Sequence, residues 1–137
     1  MALRLNPYLH FAGNAREAME FYRSVLGGQL EVMTFGDVGG GGGEYPDDGV
    51  MHAFLRTGHG VELMASDGHD PDAGGPDKVS LSLSGDDLET LTRWFEALAE
   101  GGQVDVPLGR QVWGDTFGQV TDRFGLRWLV NVATPAV

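Results

Sequence analysis

The feature that most constrains the fold is a six-residue pattern that the chain contains twice. Residues 27–32 read Gly-Gly-Gln-Leu-Glu-Val, and residues 101–106 read Gly-Gly-Gln-Val-Asp-Val. At both places apolar residues at helical spacing precede the glycines, and an alternation typical of a strand follows them. Because self-similarity at a fixed spacing indicates a repeated structural unit, the chain is predicted to consist of two modules built on one plan.

Each half contains the same predicted order of elements: strand, helix, strand, strand, strand. In the first half we predict strands over residues 5–11, 30–35, 50–57 and 61–65, and a helix from an Asn14 N-cap to the glycines at 27–28. In the second half we predict strands over 79–84, 103–106 and 126–132, a helix capped by Asp86 or Asp87, a turn over 107–110, and strand-like segments over 111–115 and 117–122. The modules are placed at residues 1–67 and 77–137, with a connecting loop over 68–76 that is rich in Asp, Gly and Pro.

A four-stranded sheet with a single helix has one face that the helix does not cover. The predicted fold class is therefore α+β, with two βαβββ modules that form an open, curved, eight-stranded mixed sheet around a concave cleft and carry their helices on the outside. Ligand sites are usually concave and often lie between modules, so the cleft is the expected site.

Composition narrows the possible partners. The formal net charge of −11 argues against nucleic acid and anionic membranes, because both require a positive surface. The absence of cysteine excludes a disulfide scaffold and a thiolate nucleophile. No apolar run has the length of a membrane helix or a signal peptide, so we expect a cytoplasmic protein. The partner expected for the cleft is a small molecule.

Short motifs along nearly the whole chain form a specific set. They are Asn6-Pro7-Tyr8-Leu9, Gly13-Asn14-Ala15, Phe21-Tyr22, Leu26-Gly27-Gly28, His52-Ala53, Met64-Ala65-Ser66-Asp67, Trp113-Gly114, Phe117-Gly118 and Val120-Thr121-Asp122-Arg123-Phe124-Gly125. This set resembles the PhnB-like branch of the glyoxalase/bleomycin-resistance/dioxygenase (vicinal oxygen chelate) superfamily. The resemblance implies paired βαβββ modules and often a homodimer. It does not imply one reaction, because the superfamily contains isomerases, dioxygenases, antibiotic-sequestering proteins and fosfomycin-modifying transferases.

The resemblance also implies where a metal would bind in the metal-dependent members, which use four His, Glu or Gln ligands on the concave face. Those positions fall at Pro7 or Asn6, at Glu62, near Lys78 and at Leu129. Only Glu62 is a good donor for a divalent ion. We therefore predict no cofactor and no conventional four-ligand centre, and we keep a divalent metal bound by His52 and Glu62 as an alternative.

His52 and Glu62 are the candidate catalytic residues. Each lies in an apolar strand, and each can act as an acid or a base if it faces the cleft. The structural alternatives are a histidine hydrogen-bonded across the sheet, which is the more common case, and a carboxylate at a sheet edge. His59 and His69 fall in a turn and a loop and are expected to be solvated.

Strand alternation supplies the remaining candidates for the cleft wall. Trp128, Val130 and Val132 are predicted to pack under the second helix, which leaves the residues between them on the other face. The full set of ligand-binding candidates is Tyr8, His10, Ser80, Ser82, Trp113, Asp115, Phe117, Arg127 and Asn131. Because many of these side chains are polar, a small polar or anionic ligand is expected.

The glycine run at residues 39–43 has two interpretations. It lacks the Lys-Ser/Thr ending of a phosphate-binding loop, so it is either a mobile cover over the cleft or a tolerated insertion.

Three functions remain open at this point. The first is a PhnB-like protein that binds a small polar molecule, with or without catalysis, and lacks the four-ligand metal site. The second is a metal-dependent lyase or dioxygenase that uses His52 and Glu62. The third is a drug-sequestering protein of the bleomycin-resistance type, for which the acidic composition suits a cationic drug.

Overall fold

The computed structural model describes residues 6–39, 46–58, 60–67 and 79–133. The chain divides into two compact units, residues 1–75 and 76–137. The predictions for the glycine run beyond Gly39, for the connecting loop, and for His59, His69 and Lys78 lie outside the described residues.

Unit 1 is a four-stranded sheet with one long helix. Its elements are β1 (Tyr8–His10), α1 (Ala15–Leu26), β2 (Gln29–Thr34), a 3-10 turn (Gly36–Val38), β3 (Val50–Arg56) and β4 (Glu62–Ser66). The strand order is β1-β4-β3-β2, in which β1 runs parallel to β4 and the other neighbours are antiparallel.

Unit 2 repeats this plan. Its elements are β5 (Ser80–Gly85), α2 (Leu88–Ala99), β6 (Gln103–Arg110), β7 (Thr116–Thr121) and β8 (Arg127–Val132). The strand order β5-β8-β7-β6 has the same parallel and antiparallel neighbours as the first sheet. The predicted α+β class with two βαβββ modules is confirmed. In the described part of the chain, no helix is long and apolar enough to cross a membrane.

In both units the first glycine of the repeated pair ends the helix and the second permits a close backbone approach. Gly27 and Gly101 have φ angles of +80° and +78°, which glycine adopts most readily at the end of a helix. A Cβ on Gly28 would collide with the carbonyl oxygen of Arg56, and one on Gly102 would collide with that of Thr121. The second glycine of each pair therefore allows the chain after the helix to approach the end of the third strand.

Each helix covers one face of its own sheet. Residues Ala18, Met19 and Tyr22 of α1 are fully buried, as are Leu55 and Leu63 of the sheet. In unit 2 the buried residues are Leu91, Trp94, Phe95 and Leu98 of α2, with Val120, Trp128 and Val130 of the sheet. The alternation predicted for residues 128, 130 and 132 is confirmed.

The predicted boundaries around Pro107 were wrong. β6 continues through this proline to Arg110, and the turn lies at 111–115 instead of 107–110. β6 is an edge strand with two register shifts, between Val104 and Val106 and between Val106 and Gly109. At such irregular edge positions a proline is tolerated, because its missing N–H is not needed for the ladder.

Asn14 occupies the N-cap position of α1, as predicted, but its side chain makes no capping bond. Instead, Oδ1 of Asp67 accepts hydrogen bonds from the backbone N–H groups of Gly13 (3.0 Å) and Ala15 (2.9 Å), and its Oδ2 accepts one from Val50 (2.9 Å). This buried carboxylate joins the start of α1, the start of β3 and the end of β4.

A second buried carboxylate organises the last hairpin. Oδ1 of Asp122 accepts from the backbone N–H groups of Phe124 (2.8 Å) and Leu126 (3.1 Å), and its Oδ2 accepts from the indole N–H of Trp128 (2.9 Å). In α2 the cap is local, since Asp87 accepts from the backbone N–H of Thr90 at 3.0 Å and from its hydroxyl at 2.7 Å. These two bonds, the backbone one first, lower the pKa of Asp87.

We predict that Asp67→Asn lowers the free energy of unfolding by about 2 kcal/mol or more, because a buried N–H group then loses its charged acceptor. Asn14→Ala is the control and is expected to cost less than about 0.5 kcal/mol, because it removes no capping bond. Urea unfolding of both variants provides the comparison. Equal losses would show that Asp67 does not act as the cap.

Candidate functional site

The face of the unit 1 sheet opposite α1 is its open face, and it carries aromatic, histidine and arginine side chains. Tyr8 on β1 is paired with Met64 on β4, which in turn is paired with Phe54 on β3. Residues paired in this way share one face of a sheet. The members of the open face are Tyr8, His10, Glu31, Met33, His52, Phe54, Arg56, Glu62 and Met64.

A phenol and an imidazole meet on this face. The Tyr8 hydroxyl lies 3.2 Å from Nδ1 of His52, and the two ring centroids are 5.8 Å apart. Strand β4 separates β1 from β3, so the long tyrosine side chain spans it. Tyr8 is 41% exposed, which leaves this hydrogen-bonded pair accessible to a ligand. When the hydroxyl donates, Nδ1 is the unprotonated nitrogen and Nε2 carries the hydrogen.

His10 lies beside the same tyrosine. Its ring centroid is 5.2 Å from that of Tyr8. Within the described residues its Nδ1 atom is buried and has no hydrogen-bond partner. Because buried polar atoms are nearly always paired, this nitrogen adds unused hydrogen-bonding capacity beside the Tyr8–His52 pair.

The other end of β3 carries an arginine beside an aromatic ring and a carboxylate. The guanidinium carbon of Arg56 lies 4.6 Å from the centroid of the Phe54 ring, which is a cation–π contact. Glu62 is half-buried and is the register partner of Arg56. This end therefore brings an arginine and a carboxylate together without a histidine.

His52 and Glu62 cannot bind one metal ion together, which corrects the expectation that paired them. Glu62 is opposite Arg56, and Arg56 is four positions from His52 along β3. At roughly 3.3 Å per residue, the backbone positions of His52 and Glu62 are about 13 Å apart along the strand direction.

The remaining strand positions do not supply a metal centre either. On the open faces, β5 and β8 pair Ser82 with Leu129, and β1 and β4 pair Tyr8 with Met64. None of these four is a preferred ligand of a hard or borderline divalent ion. Among the residues that the structure describes, no three His, Asp or Glu side chains form a group that could hold a metal. The described donor set therefore does not fit the four-ligand centre.

Unit 2 has its own open face, opposite α2, and this face is mostly polar. Its exposed members include Ser80, Ser82 and Arg127. Asn131 lies on the same face, and its Nδ2 donates to Oδ2 of Asp115 at 3.1 Å. The predicted polar residues of β5 and β8 thus share one face of one sheet.

Trp113 and Asp115 lie in the 111–115 turn and not on a strand. The turn is closed by hydrogen bonds from Gln111 N–H to the carbonyl of Asp115 (2.8 Å) and from Gly114 N–H to the carbonyl of Gln111 (3.0 Å). Trp113 is 60% exposed, and its ring meets that of Phe117 edge to face with centroids 6.1 Å apart. An accessible aromatic pair therefore lies beside the polar open face of unit 2.

Sequence reasoning missed Phe54, Arg56, Met33 and Met64 as members of the unit 1 open face. The signal for Phe54 and Arg56 was present, because they alternate with buried residues in step with His52. Met33 and Met64 require the strand pairing, which local alternation does not give.

The sequence matches a known protein family over most of its length. Residues 4–130 match the Glyoxalase/Bleomycin resistance protein/Dioxygenase superfamily, and the chain belongs to this family. It is similar to protein YjdN of Escherichia coli, with 32% identity over 93% of this chain and 94% of YjdN.

Solved structures agree with this assignment. Protein PA1353 from Pseudomonas aeruginosa is 43% identical, with a TM-score of 0.78 over 98% of this chain and 100% of that protein. The PhnB protein from Bacillus cereus is 26% identical, with a TM-score of 0.77 over 96% of this chain and 100% of that protein. The chain therefore has a PhnB-like neighbour within the superfamily.

We predict that the Tyr8–His52 bond contributes about 0.5–1 kcal/mol to stability, since it is exposed to solvent. A double-mutant cycle with Tyr8→Phe and His52→Ala, followed by chemical denaturation, measures this coupling. In the control cycle Tyr8→Phe is combined with Arg16→Ala, because Arg16 lies on the exposed side of α1. The control effects are expected to add, and a non-additive control or an additive Tyr8–His52 cycle would contradict the assigned contact.

Proposed function

We propose that this PhnB-like member of the glyoxalase superfamily binds a small polar molecule at the open faces of its sheets, without a conventional four-ligand metal centre. The observation that carries the proposal is the accessible Tyr8–His52 pair, on a face that none of the described helices of unit 1 covers. This face combines aromatic rings and methionines with convergent polar groups, which is typical of small-molecule sites.

The chemistry of the pair supports binding and also permits proton transfer. The Tyr8 hydroxyl can donate to a ligand or to His52, and the free Nε2 of His52 can take the complementary role. If the ligand carries an acidic C–H or O–H group, its proton can pass to the Tyr8 oxygen as the phenolic proton passes to Nδ1 of His52. We assign Glu62 no part in this step, because it lies at the far end of β3.

The open face of unit 2, considered by itself, favours an anionic ligand. Ser80, Ser82 and Asn131 offer neutral hydrogen-bonding groups, and Arg127 offers a cation. An arginine with hydroxyl and amide neighbours is suited to a carboxylate or a phosphonate. We therefore propose a small organic anion as the ligand, bound by a homodimer in the cytoplasm.

A thermal-shift screen of small carboxylates and phosphonates tests this proposal. A compound present at about 100 times its Kd is expected to stabilise the protein by about 2.7 kcal/mol. Tyr8→Phe and His52→Gln are each expected to weaken binding about 10-fold, the effect of one lost hydrogen bond to a charged group.

Glu20→Gln is the matched control, because Glu20 is exposed on α1, on the covered side of the same sheet. Its Kd should equal that of the unchanged protein. Unaltered affinity in both Tyr8→Phe and His52→Gln would overturn the assignment of this pair to the site.

A second candidate function is sequestration of a flat cationic drug without turnover. The exposed Trp113 and its contact with Phe117 favour it, since aromatic faces stack on planar ligands, and the net charge of −11 attracts cations. Titration with bleomycin, followed by tryptophan fluorescence, distinguishes the two functions. Tight binding that Trp113→Ala abolishes and Tyr8→Phe preserves would favour sequestration.

A further inference from the structure

Unit 2 contains a cavity of about 240 Å³ on the α2 side of its sheet, away from its open face. It is built on the last row of residues across the strands. Arg110 on β6 pairs with Thr116 on β7, and Thr116 pairs with Val132 on β8. Val132 is buried on the side of the sheet that α2 covers, so the Thr116 and Arg110 side chains project to that same side.

The beginning of α2 completes the cavity. Asp86 and Leu88 line it together with Arg110, Thr116 and Val132. Leu88 is 53% exposed although it is a large apolar residue, and with Val132 it forms an apolar floor. The neighbouring Asp87 is engaged in capping α2, whereas Asp86 is not.

Three polar side chains surround this apolar floor. Within the described residues, no hydrogen bond or ion pair engages the carboxylate of Asp86, the guanidinium of Arg110 or the hydroxyl of Thr116. Asp86 and Arg110 therefore line one cavity without forming an ion pair with each other. A negative and a positive group are both available to the same occupant.

We propose that this cavity binds a small zwitterion with an aliphatic side chain, of the α-amino acid class. Arg110 pairs with the carboxylate, for which its planar guanidinium is suited, and Asp86 pairs with the ammonium group. Leu88 and Val132 contact the aliphatic side chain, and the Thr116 hydroxyl hydrogen-bonds to the carboxylate. An occupant with both charges satisfies both side chains at once, which neither a simple anion nor a simple cation does.

Three compounds that share the branched aliphatic chain of leucine test the charge requirement. L-leucine carries both charges, 4-methylpentanoate lacks the ammonium group, and 3-methylbutylamine lacks the carboxylate. Nuclear magnetic resonance titration of the full-length protein measures each Kd from the shifts of the Leu88 and Val132 methyl signals and the Gly114 amide. L-leucine is expected to bind at least 10-fold more tightly than either singly charged compound.

Variants of the two charged residues test the same charge requirement by changing the protein instead of the ligand. Arg110→Gln is expected to remove the preference for L-leucine over 3-methylbutylamine, and Asp86→Asn its preference over 4-methylpentanoate. Leu88→Ala should weaken the binding of L-leucine and leave the binding of the free amino acid glycine unchanged. Because all three residues border the surface, urea unfolding should confirm that each variant is folded.

Glu20→Gln and Arg16→Ala are the controls. Both should retain the affinity for L-leucine, because both residues are exposed on α1 and neither lines this cavity. Equal binding of the three compounds, or no shift of the Leu88 and Val132 signals at saturating L-leucine, would overturn the proposal. Either result leaves the proposed role of the Tyr8–His52 pair untouched, since that pair is tested by other variants and other ligands.

Discussion

The structure depends on the fact that one helix can cover only one face of a four-stranded sheet. In both units α1 or α2 takes the apolar face, and the strands must then alternate between a buried and an open side. The alternation in β3 leaves His52, Phe54 and Arg56 on the open side, and that in β8 leaves Arg127 and Asn131. The candidate binding residues of β3 and β8 are thus placed by the same constraint that forms the core.

Several of the most recognisable motif residues stabilise the fold and do not belong to the candidate site. Asp67 caps a helix that begins more than fifty positions earlier in the chain, and Asp122 holds the last hairpin to the indole of Trp128. Gly28 and Gly102 each permit a close backbone approach. Charge-assisted bonds to buried N–H groups are costly to lose. A family resemblance based on such residues therefore identifies the fold and leaves the reaction open.

The two units present different chemistry on the same framework. The open face of unit 1 combines a hydrogen-bonded phenol and imidazole with aromatic rings, whereas that of unit 2 is dominated by hydroxyl, amide and guanidinium groups. The cavity beside α2 is a third environment, where Asp86 and Arg110 lie beside the apolar side chains of Leu88 and Val132. Since the backbone plan is shared, these differences come from the side chains on a few equivalent strand positions.

The sequence by itself determined the repeated βαβββ plan, the helix positions and the face on which Trp128 or Ser82 lies, because periodicity and glycine placement are local properties. Only the tertiary structure decided which residues meet. It paired Tyr8 with His52 across β4 and separated His52 from Glu62. It also supplied the capping bonds of α1 from Asp67 instead of Asn14, and it carried β6 through Pro107. The physical reason is that a period of two assigns a side chain to a face, whereas the register between strands is set by contacts distant in sequence.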